Sequence, residues 1–244
     1  MQVFHTRAVV LRQTKYGDTS LIVSAYTELF GIQSYLIKGV RQSSKKSAGR
    51  AMYFQPGSIL DMEVYHSDFK QLQFVKEYQW AYVYRQLFTD VVKHAVAMYM
   101  IELLQHSLKQ PEANPEMFAL IAESLQELDI AEDGVAANLP LYFTLKLCAE
   151  LGFQIAGDLS GTVFDLKEGC FTHTLPDHPY YVDGAAASTT AAIIQANSVS
   201  QLGVITSNRV QRREILQAYQ TFMALHIPDF GELRSWPVLQ EVLG

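Results

Sequence analysis

Cysteine is nearly absent from this chain: Cys148 and Cys170 are the two among 244 residues, too few for a disulfide framework. That scarcity excludes the small stapled scaffolds of secreted proteins and suggests a reducing compartment. Long apolar runs are missing too. Nowhere do 18 apolar residues follow one another, and the opening Met-Gln-Val-Phe-His-Thr-Arg lacks the basic, apolar and cleavage regions of a leader, so a cytoplasmic protein is expected. The signatures Gly-x-x-x-x-Gly-Lys-Ser/Thr, Gly-x-Gly-x-x-Gly, His-Glu-x-x-His and Gly-x-Ser-x-Gly are also lacking, which argues against an NTPase or a zincin. No catalytic residue and no cofactor are assigned, and no repeat marks a solenoid.

With 49% hydrophobic and 18% charged residues, the chain has the composition of an ordinary globular protein long enough for one large domain or two or three small ones. Its net charge of −6 hides an asymmetry. Residues 1–80 carry ten Lys/Arg against six Asp/Glu, net +4, and the remainder nine against nineteen, net −10. The positive charge concentrates in Lys38 to Arg50, where Lys38, Arg41, Lys45, Lys46 and Arg50 stand among Ser and Gly without an acidic neighbour. Such a run reads as a basic loop, either a solvated surface or the footprint of a phosphate backbone.

Residues 3–78 carry the alternation of β-strands. Thr6–Gln13, Thr19–Thr27, Ile32–Lys38, Ser58–His66 and Gln71–Tyr78 are separated by turns at Lys15-Tyr-Gly-Asp, Thr27-Glu-Leu-Phe-Gly, Gln55-Pro-Gly and His66-Ser-Asp, predicting five strands. In the fourth, Leu60, Met62 and Val64 share one face; in the fifth, Leu72, Phe74 and Tyr78 do. Five short strands without a long helix between them fit an OB-fold barrel, which binds single strands through a cationic groove and stacking aromatics. Candidate platforms are Tyr16, Tyr35, Tyr53 and Phe54, with barrel core as the competing assignment. Arg12, Lys15 and Tyr35 join the basic loop in the expected nucleic-acid interface.

From about Trp80 the period becomes helical and the charge acidic. Leu87, Val91, Ala95, Met98, Ile101 and Leu104 predict a helix of about 27 residues ending before Pro111. Asn114-Pro115 starts a second, and Asn138-Leu-Pro140 a third that is apolar nearly all round and ends at Gly152. Residues 157–187 break the rhythm and predict an irregular insertion with short strands such as Thr162–Leu166. Helices at Ser188–Asn197 and Ser207–His226 follow, then a terminal one with Ser235 as N-cap. The expected fold is α+β: a barrel over 1–79, a helical bundle over 80–156 and 188–244, and the insertion between. Arg209, Arg212 and Arg213 crowd the start of one helix against its macrodipole, and Arg209 with Arg213 presents one face to an acidic peptide. Cys170, His173 and His178 make three ligands where a structural zinc wants four, so no metal is expected.

Thr6-Arg-Ala-Val-Val-Leu, Tyr16-Gly-Asp-Thr-Ser-Leu-Ile-Val, Thr27 with Gly31, Lys38-Gly-Val-Arg with Lys45-Lys-Ser47, and Phe54-Gln-Pro56-Gly together resemble the RecO family of recombination mediators. The resemblance extends to Leu145–Phe153 and to the order of barrel, bundle and insertion. It implies a non-enzymatic protein that binds single- and double-stranded DNA, anneals strands, and helps load recombinase onto DNA coated by single-stranded-DNA-binding protein. RecR and often RecF are the implied partners, with the acidic tail of single-stranded-DNA-binding protein on the helical domain, for which the arginine face is the candidate here. Many members hold zinc on four cysteines; Asp158-Leu-Ser-Gly161 stands where the first pair belongs, leaving a degenerate finger to be held by aromatic packing. Two other classes compete: an adaptor that binds only proteins, and a metal-dependent nuclease using scattered carboxylates.

Overall fold

The computed structural model describes residues 2–41, 49–153, 155 and 157–243. Lys45 and Lys46 lie outside the described residues. The chain forms two compact units, Met1–Tyr84 with Leu108–Gln126, and Arg85–Ser107 with Glu127–Gly244. The strands are β1 Gln2–Tyr16, β2 Ser20–Thr27, β3 Gly31–Ile37, β4 Ile59–His66, β5 Leu72–Trp80, β6 Val163–Asp165, β7 Cys170–Thr172 and β8 Tyr181–Asp183; the helices are α1 Val91–Ser107, α2 Pro115–Ile130, α3 Asp133–Glu150, α4 Gly184–Gln195, α5 Arg209–His226 and α6 Trp236–Val242. None of the described helices is long and apolar enough to cross a membrane.

In the first unit β1-β2-β3-β5-β4 close into a barrel, with β3 and β5 parallel and the other pairs antiparallel. This is the five-stranded OB arrangement that the alternating segments predict. Ala8, Val10, Leu21, Val23, Tyr35, Ile37, Phe54, Leu60, Met62 and Val64 fill its interior, so the inward face expected of β4 is the observed one. Leu108–Gln126, which the sequence places in the helical bundle, belongs to the barrel's unit instead. Gly31 explains how close it comes: at φ +59° a Cβ there would meet the Glu112 carbonyl oxygen at 2.1 Å, so only glycine fits. The Tyr26 hydroxyl donates to the Asn114 carbonyl at 3.5 Å, and the Arg7 guanidinium lies 5.0 Å over the Phe118 ring.

Two bulges reset the faces. Val10 pairs with Ala25 and Arg12 with Ser24, leaving Leu11 extra in β1; Glu63 pairs with Glu77 and Val64 with Val75, leaving Lys76 extra in β5. An added residue exchanges inside for outside. The expectation that Leu72, Phe74 and Tyr78 share a face therefore fails: Val75, Tyr78 and Trp80 pack on the core, and Phe74 turns outward.

In the second unit, α1 begins later than its apolar period suggests. The buried Asp129 carboxylate accepts the backbone N–H groups of Arg85, Gln86 and Leu87 at 2.8–3.0 Å, which holds residues 85–87 in a clasp, and Asp90 caps the helix through the Lys93 N–H at 2.9 Å. Helix α3 starts at Asp133, not Asn138, and carries Pro140 inside it. The Asn138 amide donates to the carbonyls of Leu202 and Ile205 at 3.0 and 2.9 Å, so this residue clamps a following 3-10 turn rather than opening a helix. Gly152 adopts φ +87° after α3, as a left-handed stop requires.

The insertion is more ordered than expected, a three-stranded sheet in the order β7-β6-β8. Phe164 stacks on Phe171 at 5.0 Å and leans on Phe222 of α5 at 5.9 Å, and the His226 imidazole lies 3.0 Å from the Leu166 carbonyl. Among the described residues no cluster of three His, Cys, Asp or Glu could hold a metal ion. Helix α4 begins at Gly184, four residues before Ser188, and α5 starts at Arg209 behind Asn208, whose side chain forms a capping box with Gln211.

Candidate nucleic-acid interface

The bulge at Leu11 decides what the barrel shows to solvent. Strict alternation from Ala8 and Val10 would carry Arg12 and Thr14 inward; with the bulge they join the outer face. Cross-strand register then lays out two outward rows. One runs Thr14, Ile22, Leu36, Phe74, Tyr65, and the next runs Arg12, Ser24, Ser34, Leu72. Rows two residues apart stand about 7 Å from each other.

Cations rim this face. Lys38, exposed just past β3, places its ammonium 5.4 Å over the Phe74 ring, an attraction that keeps both on one surface. The Arg41 Nη1 donates to the Gly17 carbonyl at 3.1 Å and its backbone N–H to the Thr19 carbonyl at 3.0 Å, so the β1–β2 turn is tied to the entrance of the basic loop. Arg50 opens a short 3-10 turn, Arg50–Phe54, and with Lys38, Leu36, Tyr65 and Phe74 it lines an open groove of about 500 Å³. Burial raises the Tyr78 phenol above its ordinary pKa while the Arg50 charge opposes that rise. Lys76 lines the same groove, but its ammonium is held by Glu63 at 2.6 Å, and that bond holds the Glu63 carboxyl below the usual range. Arg12, Lys15 and Tyr16 are exposed at the far end of β1.

The expected aromatics divide sharply. Tyr35 is a correction: it is 0% exposed in the barrel core, where β3 alternation points it inward, and burial lifts its phenol well above the ordinary value. It offers no face to a base. Phe54 is core as well, and Tyr53 stacks on Trp80 at 4.5 Å. Tyr16, 52% exposed, is the one of the four that stands open to solvent. Phe74 and Tyr65 line the groove together with Tyr78; alternation puts Tyr65 on the outer face of β4 but assigns Phe74 to the wrong face, because the bulge at Lys76 cannot be read from alternation alone.

The three arginines of α5 separate too. Arg212 turns back on its own unit: Nη1 donates to the Ser207 carbonyl at 2.6 Å and Nη2 to the Leu243 carbonyl at 3.4 Å, and desolvation lowers its pKa. It is a structural tether and is withdrawn from the peptide site. With the Gln240 amide oriented to satisfy its neighbours, Arg213 Nε donates to it at 2.9 Å. Arg209 is exposed.

A closed five-stranded barrel in this strand order, followed by a helical unit, defines an OB-fold protein. The family is specific. Residues 1–84 match the family description "Recombination protein O N terminal" and residues 89–237 "Recombination protein O C terminal"; the chain belongs to the RecO family. It is 30% identical over 243 residues to the protein named DNA repair protein RecO of Christiangramia forsetii, covering 99% of this chain and all of the relative. It is also 30% identical to the proteins of that name from Phocaeicola vulgatus over 239 residues and Bacteroides fragilis over 240, covering 97% of this chain and 98% of each relative.

Proposed function

We propose that this protein binds single- and double-stranded DNA on the outer barrel face and anneals complementary strands. It would serve recombinational repair by helping load recombinase onto DNA coated by single-stranded-DNA-binding protein, with RecR and RecF as partners. One observation carries this reading: an outward apolar and aromatic row, Leu36, Phe74 and Tyr65, meets Lys38 and Arg50 in a single groove. Bases stack on such a row while cations neutralise the backbone. Arg12 and Arg41 extend the cationic rim, Lys15 adds charge at the open end of β1 opposite Leu21, and Lys45 and Lys46, close to Arg41 in the sequence, add to it. The exposed Arg209 with Arg213 is the proposed contact for the acidic tail of single-stranded-DNA-binding protein.

Titration of a labelled single-stranded oligonucleotide across a salt series tests this. If Lys38, Arg41, Lys45, Lys46 and Arg50 each meet a phosphate, log affinity falls against log salt with a slope of roughly −3 to −4. The double variant Lys38→Glu/Arg50→Glu should weaken binding to every sequence alike. Binding indifferent to salt, or equal binding by that variant, overturns the assignment and leaves the adaptor reading standing; cleavage of the oligonucleotide that a chelator stops would favour the nuclease.

A further inference from the structure

Phe69 is 99% exposed, the most exposed large hydrophobic side chain among the described residues. A solvated phenylalanine on a slack loop would mean little. This one stands on a turn that the barrel interior holds from below. Gln73, 1% exposed, sends its amide back across the β4–β5 connection: Nε2 donates to the carbonyls of Ser67 at 2.9 Å and Lys70 at 2.6 Å, and Oε1 accepts from the Ser67 N–H at 3.1 Å. A further bond from the Lys70 N–H to the Ser67 carbonyl, 3.1 Å, closes the turn. At its base His66 stacks on Phe30 at 3.8 Å and meets Asp68 at 3.1 Å. A buried amide satisfied three times by one turn fixes that turn's backbone, so the ring is displayed at a set place beside the exposed Lys70.

The turn also continues the face already described. Leu72, which opens β5, closes the outward row that begins at Arg12, and Phe74, two residues on, stands in the row beside Lys38. A strand lying along β3 and β5 from Lys38 would pass Phe74 and Leu72 and arrive at Phe69 and Lys70.

We propose that Phe69 is a base-stacking contact for single-stranded nucleic acid, with Lys70 taking the adjacent phosphate, at the β4–β5 end of the path. The inference rests on the binding reading above. A ring of this kind needs an unpaired base to stack on, so the turn selects single strands over duplex, whereas the cationic rim serves both. Phe69→Ala should lower affinity for a labelled single-stranded oligonucleotide roughly five- to hundredfold, leave affinity for the matching duplex near wild type, and leave the salt slope unchanged. Phe69→Trp should restore the loss. Lys70→Gln should instead flatten the slope by about one. Because Phe69 is almost wholly exposed, its removal leaves the unfolding midpoint in place, which a thermal melt checks. If Phe69→Ala binds single strands as the wild type does while Lys38→Glu/Arg50→Glu weakens them, the stacking assignment is wrong and the cationic face stands. If the wild type binds no DNA, both fall.

Discussion

Tyrosines at 16 and 35 look alike in the sequence, each a few residues from a lysine, and the structure gives them opposite work. Tyr35 lies between two outward residues of β3, Ser34 and Leu36, and points into the core at 0% exposure; Tyr16 ends β1 where the barrel has closed, and half its surface meets water. Tyr35→Phe is therefore expected to fold and bind single strands like the wild type. Tyr16→Ala should weaken binding roughly five- to hundredfold, the scale of one base stack, in the same oligonucleotide titration. A reversed order of effects would mean that the cations engage DNA from another side of the barrel. The arginines teach the same lesson, since sequence spacing put Arg212 beside Arg209 and Arg213, but only three-dimensional neighbours, Ser207 and Leu243, reveal that it is occupied.

At the scale of elements, the five strands were legible because each carries a two-residue period that no helix can satisfy. The bulges were not, because an extra residue is defined by the partner strand it faces and not by its own neighbours; Leu11 and Lys76 look ordinary in line. Helix ends failed for a similar reason. Asp129 lies more than forty residues from the N–H groups it binds, and Pro140 stays inside α3 because Leu139, Leu141 and Phe143, all 0% exposed, hold it there against its usual cost of about 3 kcal/mol. Glu102 on α1 makes another such long link, accepting the N–H groups of Arg234 and Ser235 at 2.9 and 2.7 Å where α6 begins. Desolvation pushes this carboxyl up, but the bonds from Ser235 and Arg234, helped by His106, outweigh it and hold its pKa below the usual carboxylate range. A depressed carboxyl stabilises the fold fully above its unfolded pKa and loses that contribution as pH falls through the folded value. Unfolding free energy measured across this acid range should drop in the wild type and drop less in Glu102→Gln, which at neutral pH should itself cost about 1–2 kcal/mol.

The whole molecule is an anion with a cationic patch, and that shapes how it would bring two DNA strands together. Net charge is −6, yet residues 1–80 carry +4. Even on the barrel the sign is local: a separate groove is lined by Glu28, Asp61, Glu63 and Glu77 beside His5 and Arg7. On the proposed reading, a polyanion would be repelled by the acidic remainder of the chain and drawn to the Lys38–Arg50 side, where like-charged strands would meet in a screened space. Unassisted annealing speeds up with salt because ions perform that screening, whereas protein-assisted annealing needs contacts that salt dissolves. The two dependences have opposite signs. The ratio of assisted to unassisted annealing rate, followed with complementary labelled oligonucleotides, should therefore fall steeply from about 50 to 200 mM salt, and Lys45→Glu/Lys46→Glu should bring it close to one at the low end. A ratio that holds steady with salt would mean that annealing arises from base contacts along Phe74 and Tyr65, with the cations merely holding the strands in place.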